Sequence, residues 1–210
     1  MARSYSSPAR SAQALRTRAD VVAAAHELFV AQGWVATTMA GVAQRAGVAR
    51  QTVYLMFESK QALLDVCIDQ RLRGSGADMP VRDQPEYQAM GTGTTAERLT
   101  AGARWLAGAH ERSAGIQRVL DQAAVTDPAA AARLVEREQG RWQEVAFAVG
   151  LVLGTKPTRE FVDLVWTMAS RDVWLKLVEQ RGWTTSQWQA WFEGALTAAI
   201  RQYVEAAVTP

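Results

Sequence analysis

The chain has 210 residues, of which 49% are hydrophobic and 21% are charged, and its formal net charge is +2. This apolar content allows a buried core, in one larger domain or in a small domain joined to a medium one, and it argues against a mainly disordered chain. No stretch is long and apolar enough to span a bilayer, and the first residues lack the apolar segment of a secretory signal, so we expect a cytoplasmic protein without a membrane partner.

Positive charge is concentrated in the first 60 residues, which carry seven basic and three acidic side chains, a net charge of +4. The remaining residues have a net charge of −2. A basic region of this kind suits attraction to nucleic-acid phosphates, while a chance imbalance of a few charges is the plain alternative. Residues 1–14 are rich in Ser, Ala and Arg and are predicted to form a flexible basic arm. The single cysteine, Cys67, is expected to be a small core residue.

Helical periodicity predicts four helices in residues 15–72, which would form a complete small domain. The first is a supporting helix over Arg18–Gln32. The boundaries are marked by hydroxyls that can cap a helix start and by glycines that can end one, namely Thr37 or Thr38, Ser59, Gly33 and Gly47.

The second and third helices are short and are separated by Gly47, which is the pattern of a helix-turn-helix at about residues 38–57. In the third helix Val53 continues the apolar face, whereas Arg50, Gln51 and Thr52 supply groups that can read bases in the major groove. Arg pairs with guanine, Gln with adenine, and the Thr methyl contacts thymine. For an isolated short helix the alternative is an ordinary solvated face.

The pattern resembles the N-terminal domain of the tetracycline-repressor (TetR) family of transcriptional regulators. The residues that carry the resemblance are Ala24-Ala25, Leu28-Phe29, Gly33, Thr37-Thr38-Met39, Val42-Ala43, Ala46-Gly47-Val48, Thr52-Val53-Tyr54, Phe57, Ser59-Lys60 and Leu63-Leu64. The resemblance implies that Arg50, Gln51 and Thr52 contact base edges and that Thr38, Tyr54 and Lys60 hold phosphates. Leu55 and Met56 depart from the polar or aromatic residues of many members, so Leu55 becomes a candidate for contact with a thymine methyl.

Residues 73–93 contain several glycines and prolines and are predicted to be a linker before a larger domain over residues 94–207. Capping patterns mark two helix starts there, Thr94 with Glu97 and Thr184 with Gln187, and Asp127-Pro128 marks another. A separate helix is predicted for Ser113–Ala123, and one long helix is predicted between Pro157 and Gly182. Since no alternating strand is found, the fold class is predicted to be all-α, with about nine helices.

The larger domain is predicted to bind a small molecule and to dimerise. The resemblance implies a cavity for a small, partly apolar effector, for which the candidates are Trp105, His110, Trp142 and Trp166, although the simpler interpretation of any one Trp is a core residue. Small residues and exposed-looking aromatic residues in the last two helices suggest a shared surface, and the family pairs these helices in a homodimer. The candidates for this interface are Phe161, Met168, Trp188, Phe192, Ala195 and Ala199.

These patterns predict a dimeric repressor that binds palindromic double-stranded operator DNA and is released by an effector. An effector-independent DNA-binding protein is one alternative. A small helical enzyme is the other, but the sequence has two histidines, no Gly-x-Ser-x-Gly motif and no metal-ligand or phosphate-loop spacing, so no catalytic residue, metal or cofactor is expected.

Overall fold

The computed structural model describes residues 8–74 and 79–208, and these residues form an all-α protein. No strand occurs within them. The predicted fold class is therefore confirmed, with an N-terminal helix-turn-helix followed by a larger helical region.

The helices differ widely in length, from one turn to 30 residues. In chain order they are α1 (Pro8–Ala36), α2 (Met39–Arg45), α3 (Arg50–Met56), α4 (Lys60–Arg73), α5 (Pro85–Gln88), α6 (Thr95–Ala124), α7 (Pro128–Leu153), α8 (Arg159–Met168), α9 (Arg171–Trp174) and α10 (Thr185–Val208). Short 3₁₀ turns cover Val81–Asp83 and Ala89–Gly91, and α9 continues as a π-helical segment over Leu175–Gln180.

The chain divides into two compact units, and this division differs from the predicted one. The first unit combines residues 1–70 with residues 115–131, and the second combines residues 71–114 with residues 132–210. The sequence predicts a single division, at the linker over residues 73–93, because it gives no sign that the second half of α6 joins the N-terminal helices.

The first unit has a core of aliphatic and aromatic side chains from its N-terminal helices. Val21 and Ala25 of α1 and Leu63 and Leu64 of α4 have no exposed surface. Cys67 of α4 is buried as predicted, and its thiol donates to the backbone carbonyl of Val22.

The core of the second unit is unusually aromatic. Trp174, Trp188 and Phe192 lie at its centre, with Tyr87 and Met90 from the segment before α6 packed into the same cluster. Residues 73–93 are therefore not simply a linker, since α5 lies within them and buries Tyr87.

Three predicted helix boundaries differ from the structure. Helix α6 is continuous through Ser113, whose hydroxyl donates to the carbonyl of Ala109 inside the helix and so does not cap a new one. The predicted long helix after Pro157 is interrupted because Ser170 accepts a hydrogen bond from the N–H of Val173 and starts α9. Residues 8–14, expected in a flexible arm, belong to α1, while residues 1–7 lie outside the described residues.

The predicted helix caps are confirmed. Thr38 caps α2, and the Asp127 carboxylate accepts from two N–H groups at the start of α7. Thr94 exchanges hydrogen bonds with Glu97, and Thr184 exchanges hydrogen bonds with Gln187. Each cap depends on residues only a few positions apart, which explains why the sequence reveals it.

Within the part of the chain that the structure describes, no helix has the length and apolar character needed to cross a membrane. The same described residues contain no cluster of three or more His, Cys, Asp or Glu side chains suited to hold a metal ion.

Candidate nucleic-acid interface

Helix α2 is fixed to the first unit by its apolar face and by a cap. Met39, Val42 and Ala43 are buried, and the Thr38 hydroxyl oxygen accepts a hydrogen bond of 3.0 Å from the Gly41 N–H. Gly47 then adopts φ = 68°, a left-handed conformation that turns the chain between α2 and α3.

Helix α3 has one buried side and one exposed side. Val53 has no exposed surface, and Phe57, just after the helix, is 3% exposed. On the other side Arg50 and Gln51 are exposed, and Leu55 is 80% exposed. Such a helix presents donors and an apolar group to its surroundings while its backbone is anchored, as base reading in a major groove requires.

The C-terminal end of α3 is held by Arg18 of α1. The Arg18 guanidinium donates to the carbonyl of Met56 at 3.2 Å, and it lies over the Phe57 ring, 4.3 Å from the centroid. A cation at this end also interacts favourably with the negative end of the helix dipole. The sequence gives no local signal for this contact, because the bonded residues are 38 positions apart.

The structure places the candidate DNA-contacting residues as follows. In the first unit Thr38 and Tyr54, which both carry hydroxyl groups, are exposed, and Thr52 is half-buried. The Arg50 guanidinium lies 5.5 Å from the centroid of the Tyr54 ring. The candidates Thr38, Arg50, Gln51, Thr52, Tyr54 and Leu55 thus belong to α3 and to the N-terminal cap of α2.

Lys60 has contacts that the sequence does not predict. Its ammonium donates to the carbonyls of Trp34 at 2.7 Å and Thr37 at 3.0 Å, and it lies 3.9 Å from the centroid of the Trp34 ring. Burial lowers the pKa of Lys60, while Asp127 acts in the opposite direction. These contacts tie α4 to the end of α1 and to Thr37 before α2, so Lys60 has a structural role in the absence of DNA.

The four candidates for an effector cavity do not form one group. Trp142 and Trp166 line an open pocket of about 610 Å³ in the second unit, together with Arg159, Asp163 and Thr167. The other two candidates lie in the aromatic core of that unit, where Trp105 packs edge-on against Tyr87 and His110 is buried.

The walls of this pocket are held by polar contacts. The Trp142 indole N–H donates to the Asp163 carboxylate at 2.6 Å. Trp166 is covered by the guanidinium of Arg141, 4.4 Å from a ring centroid, and the same group donates to the Trp166 carbonyl. The two indole rings are therefore fixed surfaces on which an apolar molecule can pack.

His110 is a buried core residue rather than a polar anchor in this pocket. Its Nε2 is 3.2 Å from the carbonyl of Ala169, and its ring packs against Trp174 and Trp188 at 5.4 Å. Burial lowers the pKa of His110 to about 3, so the ring is neutral near pH 7.

Three of the six candidates for a dimer interface are buried within their own chain. Phe161 and Phe192 are 5% and 3% exposed, and Trp188 has no exposed surface. The expectation that these rings lie on a surface is wrong, because they belong to the hydrophobic core of the second unit. Met168, Ala195 and Ala199 are half-buried.

The first unit thus has the architecture of a helix-turn-helix DNA-binding domain with an anchored, partly exposed second helix. Residues 21–67 match the family model described as bacterial regulatory proteins, tetR family. This match links the helix-turn-helix region of the first unit to that family, in agreement with the resemblance found in the sequence.

Solved structures agree with this fold. The chain resembles a Rhodococcus sp. protein described as a TetR-family transcriptional regulator, with a TM-score of 0.63, 18% identity, and coverage of 88% of this chain and 98% of the other. A transcriptional regulator from Rhodococcus sp. Rha1 gives a TM-score of 0.60, 16% identity, and coverage of 92% and 99%. At these identities the likeness is one of fold. No curated protein matches the chain.

Proposed function

We propose that this chain is a transcriptional regulator of the TetR family, and specifically a dimeric repressor that binds a palindromic operator and leaves it when a small molecule binds the second unit. The observation that carries the proposal is the exposed side of α3, which presents Arg50, Gln51, Tyr54 and Leu55 while Val53 anchors the opposite side.

The exposed side chains of α3 supply both polar and apolar recognition. Arg50 can donate to guanine O6 and N7, Gln51 can pair with adenine N6 and N7, and Leu55 can contact a thymine methyl. Hydroxyls of Thr38 and Tyr54 can donate to phosphates, which fixes the register without selecting a base.

The base-reading role is tested with an operator selected from a random DNA pool. Arg50→Ala should weaken binding to that operator by about 1–3 kcal/mol and relax the preference at one base pair in each half-site. Arg181→Ala is the matched control, since Arg181 is an exposed arginine of the second unit. Wild-type affinity and specificity for Arg50→Ala in a fluorescence anisotropy titration would contradict the assignment.

The proposed dimer uses the exposed side of α10. Ala190, Gly194, Thr197 and Ala198 are small and exposed there, and a Cβ added at Gly194 would meet nothing within 4 Å. Small residues allow two helices to approach closely, and a dimer would present two reading helices about 34–36 Å apart, one turn of DNA.

The assembly state can be tested at Gly194 with a matched variant elsewhere. Gly194→Arg should sediment as a monomer in analytical ultracentrifugation. It should also no longer bind a full palindrome more tightly than a half-site. Gly140→Arg changes another exposed helical glycine with open space around it and should remain dimeric. If both variants sediment as the wild type does, the interface lies elsewhere.

The pocket lined by Trp142 and Trp166 supports the proposal of a small, partly apolar effector. Because coupling is reciprocal, such a molecule must bind more weakly to the operator complex by the same factor by which it weakens operator binding. A thermal-shift screen of small partly apolar molecules, with and without operator, measures both effects. If no molecule stabilises the protein or weakens operator binding, the effector-independent alternative is favoured.

Repression itself is tested in a reporter assay. With the selected operator placed across a promoter, the wild-type chain should lower expression and Arg50→Ala should restore it. Increased expression with the wild-type chain would instead identify an activator.

A further inference from the structure

Two residues on the exposed side of α3 contact one another one helical turn apart. Arg50 is the first residue of α3 and Tyr54 lies four positions later. The guanidinium carbon of Arg50 is 5.5 Å from the centroid of the Tyr54 ring, within the range at which a cation is attracted to an aromatic face.

The backbone of α3 is already fixed within the first unit. Val53 is completely buried, Phe57 is nearly so, and Arg18 binds the Met56 carbonyl at the C-terminal end. The position of the Arg50 Cα is therefore set by packing. What packing leaves undetermined is the direction of the long Arg50 side chain, which has several rotatable bonds and, among the described residues, no ion pair.

Helix electrostatics do not hold the Arg50 side chain in place. A positive charge at the first residue of a helix faces the positive end of the helix dipole, and the N-cap of α3, Ala49, makes no side-chain hydrogen bond. The electron-rich face of the Tyr54 ring is the favourable neighbour that the sequence provides on that side of the helix.

We propose that Tyr54 is a positioning residue that holds the Arg50 guanidinium along the exposed side of α3, so that base discrimination by Arg50 depends on the Tyr54 ring. The proposal rests on the proposed base-reading function. It gives the Tyr54 ring a role separate from that of its hydroxyl, which the family resemblance directs to a phosphate.

The ring and the hydroxyl are separated by substitution. Tyr54→Phe keeps the aromatic face, so it should retain discrimination at the base pair read by Arg50, even if binding weakens equally on all sequences. Tyr54→Leu removes the face but keeps a good helix former, and it should lower discrimination at that base pair by roughly two- to fivefold, the range expected for an exposed cation–aromatic contact. Tyr54→Met is a second variant without a ring and should behave like Tyr54→Leu.

The measurement is the ratio of affinities for the selected operator and for a version changed at the base pair where Arg50→Ala relaxes specificity. In the Arg50→Ala background, Tyr54→Leu should no longer change this ratio. A purely structural role for Tyr54 would lower affinity without changing the ratio, and far-UV circular dichroism and thermal unfolding monitor the fold of each variant.

The proposal is overturned if Tyr54→Leu and Tyr54→Met leave the ratio unchanged, or if Tyr54→Phe lowers it as much as they do. It is also overturned if Tyr54→Leu has the same effect with and without Arg50. If Arg50→Ala relaxes no base pair, the base-reading function itself fails, and this outcome is distinct from a normal Arg50 effect with an inert Tyr54.

Discussion

Lys60 provides the clearest test of how the first unit is held together. Its ammonium binds the carbonyls of Trp34 and Thr37 and covers the Trp34 ring, which is 8% exposed. Lys60→Met keeps most of the apolar side chain but removes all three interactions, leaving two carbonyls near the end of α1 without their donor.

The expected loss of stability follows from these contacts. A hydrogen bond to a charged group contributes about 1.5–3 kcal/mol, and an exposed cation–aromatic contact contributes about 0.5–1 kcal/mol. Because Lys60 is only half-buried, water can replace part of each interaction. We therefore expect Lys60→Met to lower the free energy of unfolding by about 2 kcal/mol, or the melting temperature by about 4–8 °C for a chain of this size.

Urea unfolding monitored by circular dichroism measures this loss, with Lys156→Met as the control because Lys156 is an exposed lysine of the second unit. Operator binding is measured in parallel at several salt concentrations. Removing a phosphate contact lowers the slope of log affinity against log salt by about 0.9. If Lys60→Met unfolds like the control and shows this smaller slope, Lys60 acts on phosphate and the structural reasoning is refuted.

Two further predictions concern buried positions. His110→Gln keeps a donor for the Ala169 carbonyl and should make the stability of the protein less sensitive to acid. In the unfolded wild type the His110 ring gains a proton below about pH 6.5, whereas in the folded state, where its pKa is about 3, it stays neutral. The contribution of His110 to the free energy of unfolding therefore falls by about 1.4 kcal/mol per pH unit as the pH drops between these values. Urea unfolding at pH 7, 6 and 5 checks this, and equal pH slopes for both proteins would contradict it. Gly33→Ala should destabilise by about 1–3 kcal/mol, because φ = 75° and ψ = −173° suit only glycine and the new Cβ would lie 3.0 Å from the Gln122 side chain. Gly140→Ala, in an open helical position, should instead raise the free energy of unfolding by up to about 1 kcal/mol. A thermal unfolding experiment in which both variants shift the melting temperature in the same direction would refute the argument.

The sequence predicts those features that depend on neighbouring residues. Helical periodicity gives the all-α class, and the caps at Thr38, Asp127 and Thr184 follow from side chains within three positions of the bonded N–H groups. The exposed polar side of α3 is predicted for the same reason, since a short helix with a buried Val53 leaves Arg50 and Gln51 on the outside.

Contacts between distant residues account for what the sequence misses. The basic residues Arg18 and Lys60 bind backbone carbonyls 38 and 26 positions away, and nothing in the local pattern distinguishes them from solvent-exposed cations. In the same way, periodicity places Trp188 and Phe192 on a helix but does not say which other helix covers them, so a core residue and an interface residue give the same signal.

The contacts of Arg18 and Lys60 also change how the charge of the first 60 residues is interpreted. The net charge of +4 suggests attraction to phosphates, yet Arg18 fixes α3 and Lys60 fixes the segment before α2. Arg50, by contrast, lies over Tyr54 on the exposed side of the helix that those contacts hold in place. Part of the basic character therefore holds α3 and the start of α2 in place, and Arg50 is left for the proposed base reading, so substitutions at Arg18 and Lys60 should lower stability whereas substitution of Arg50 should lower specificity.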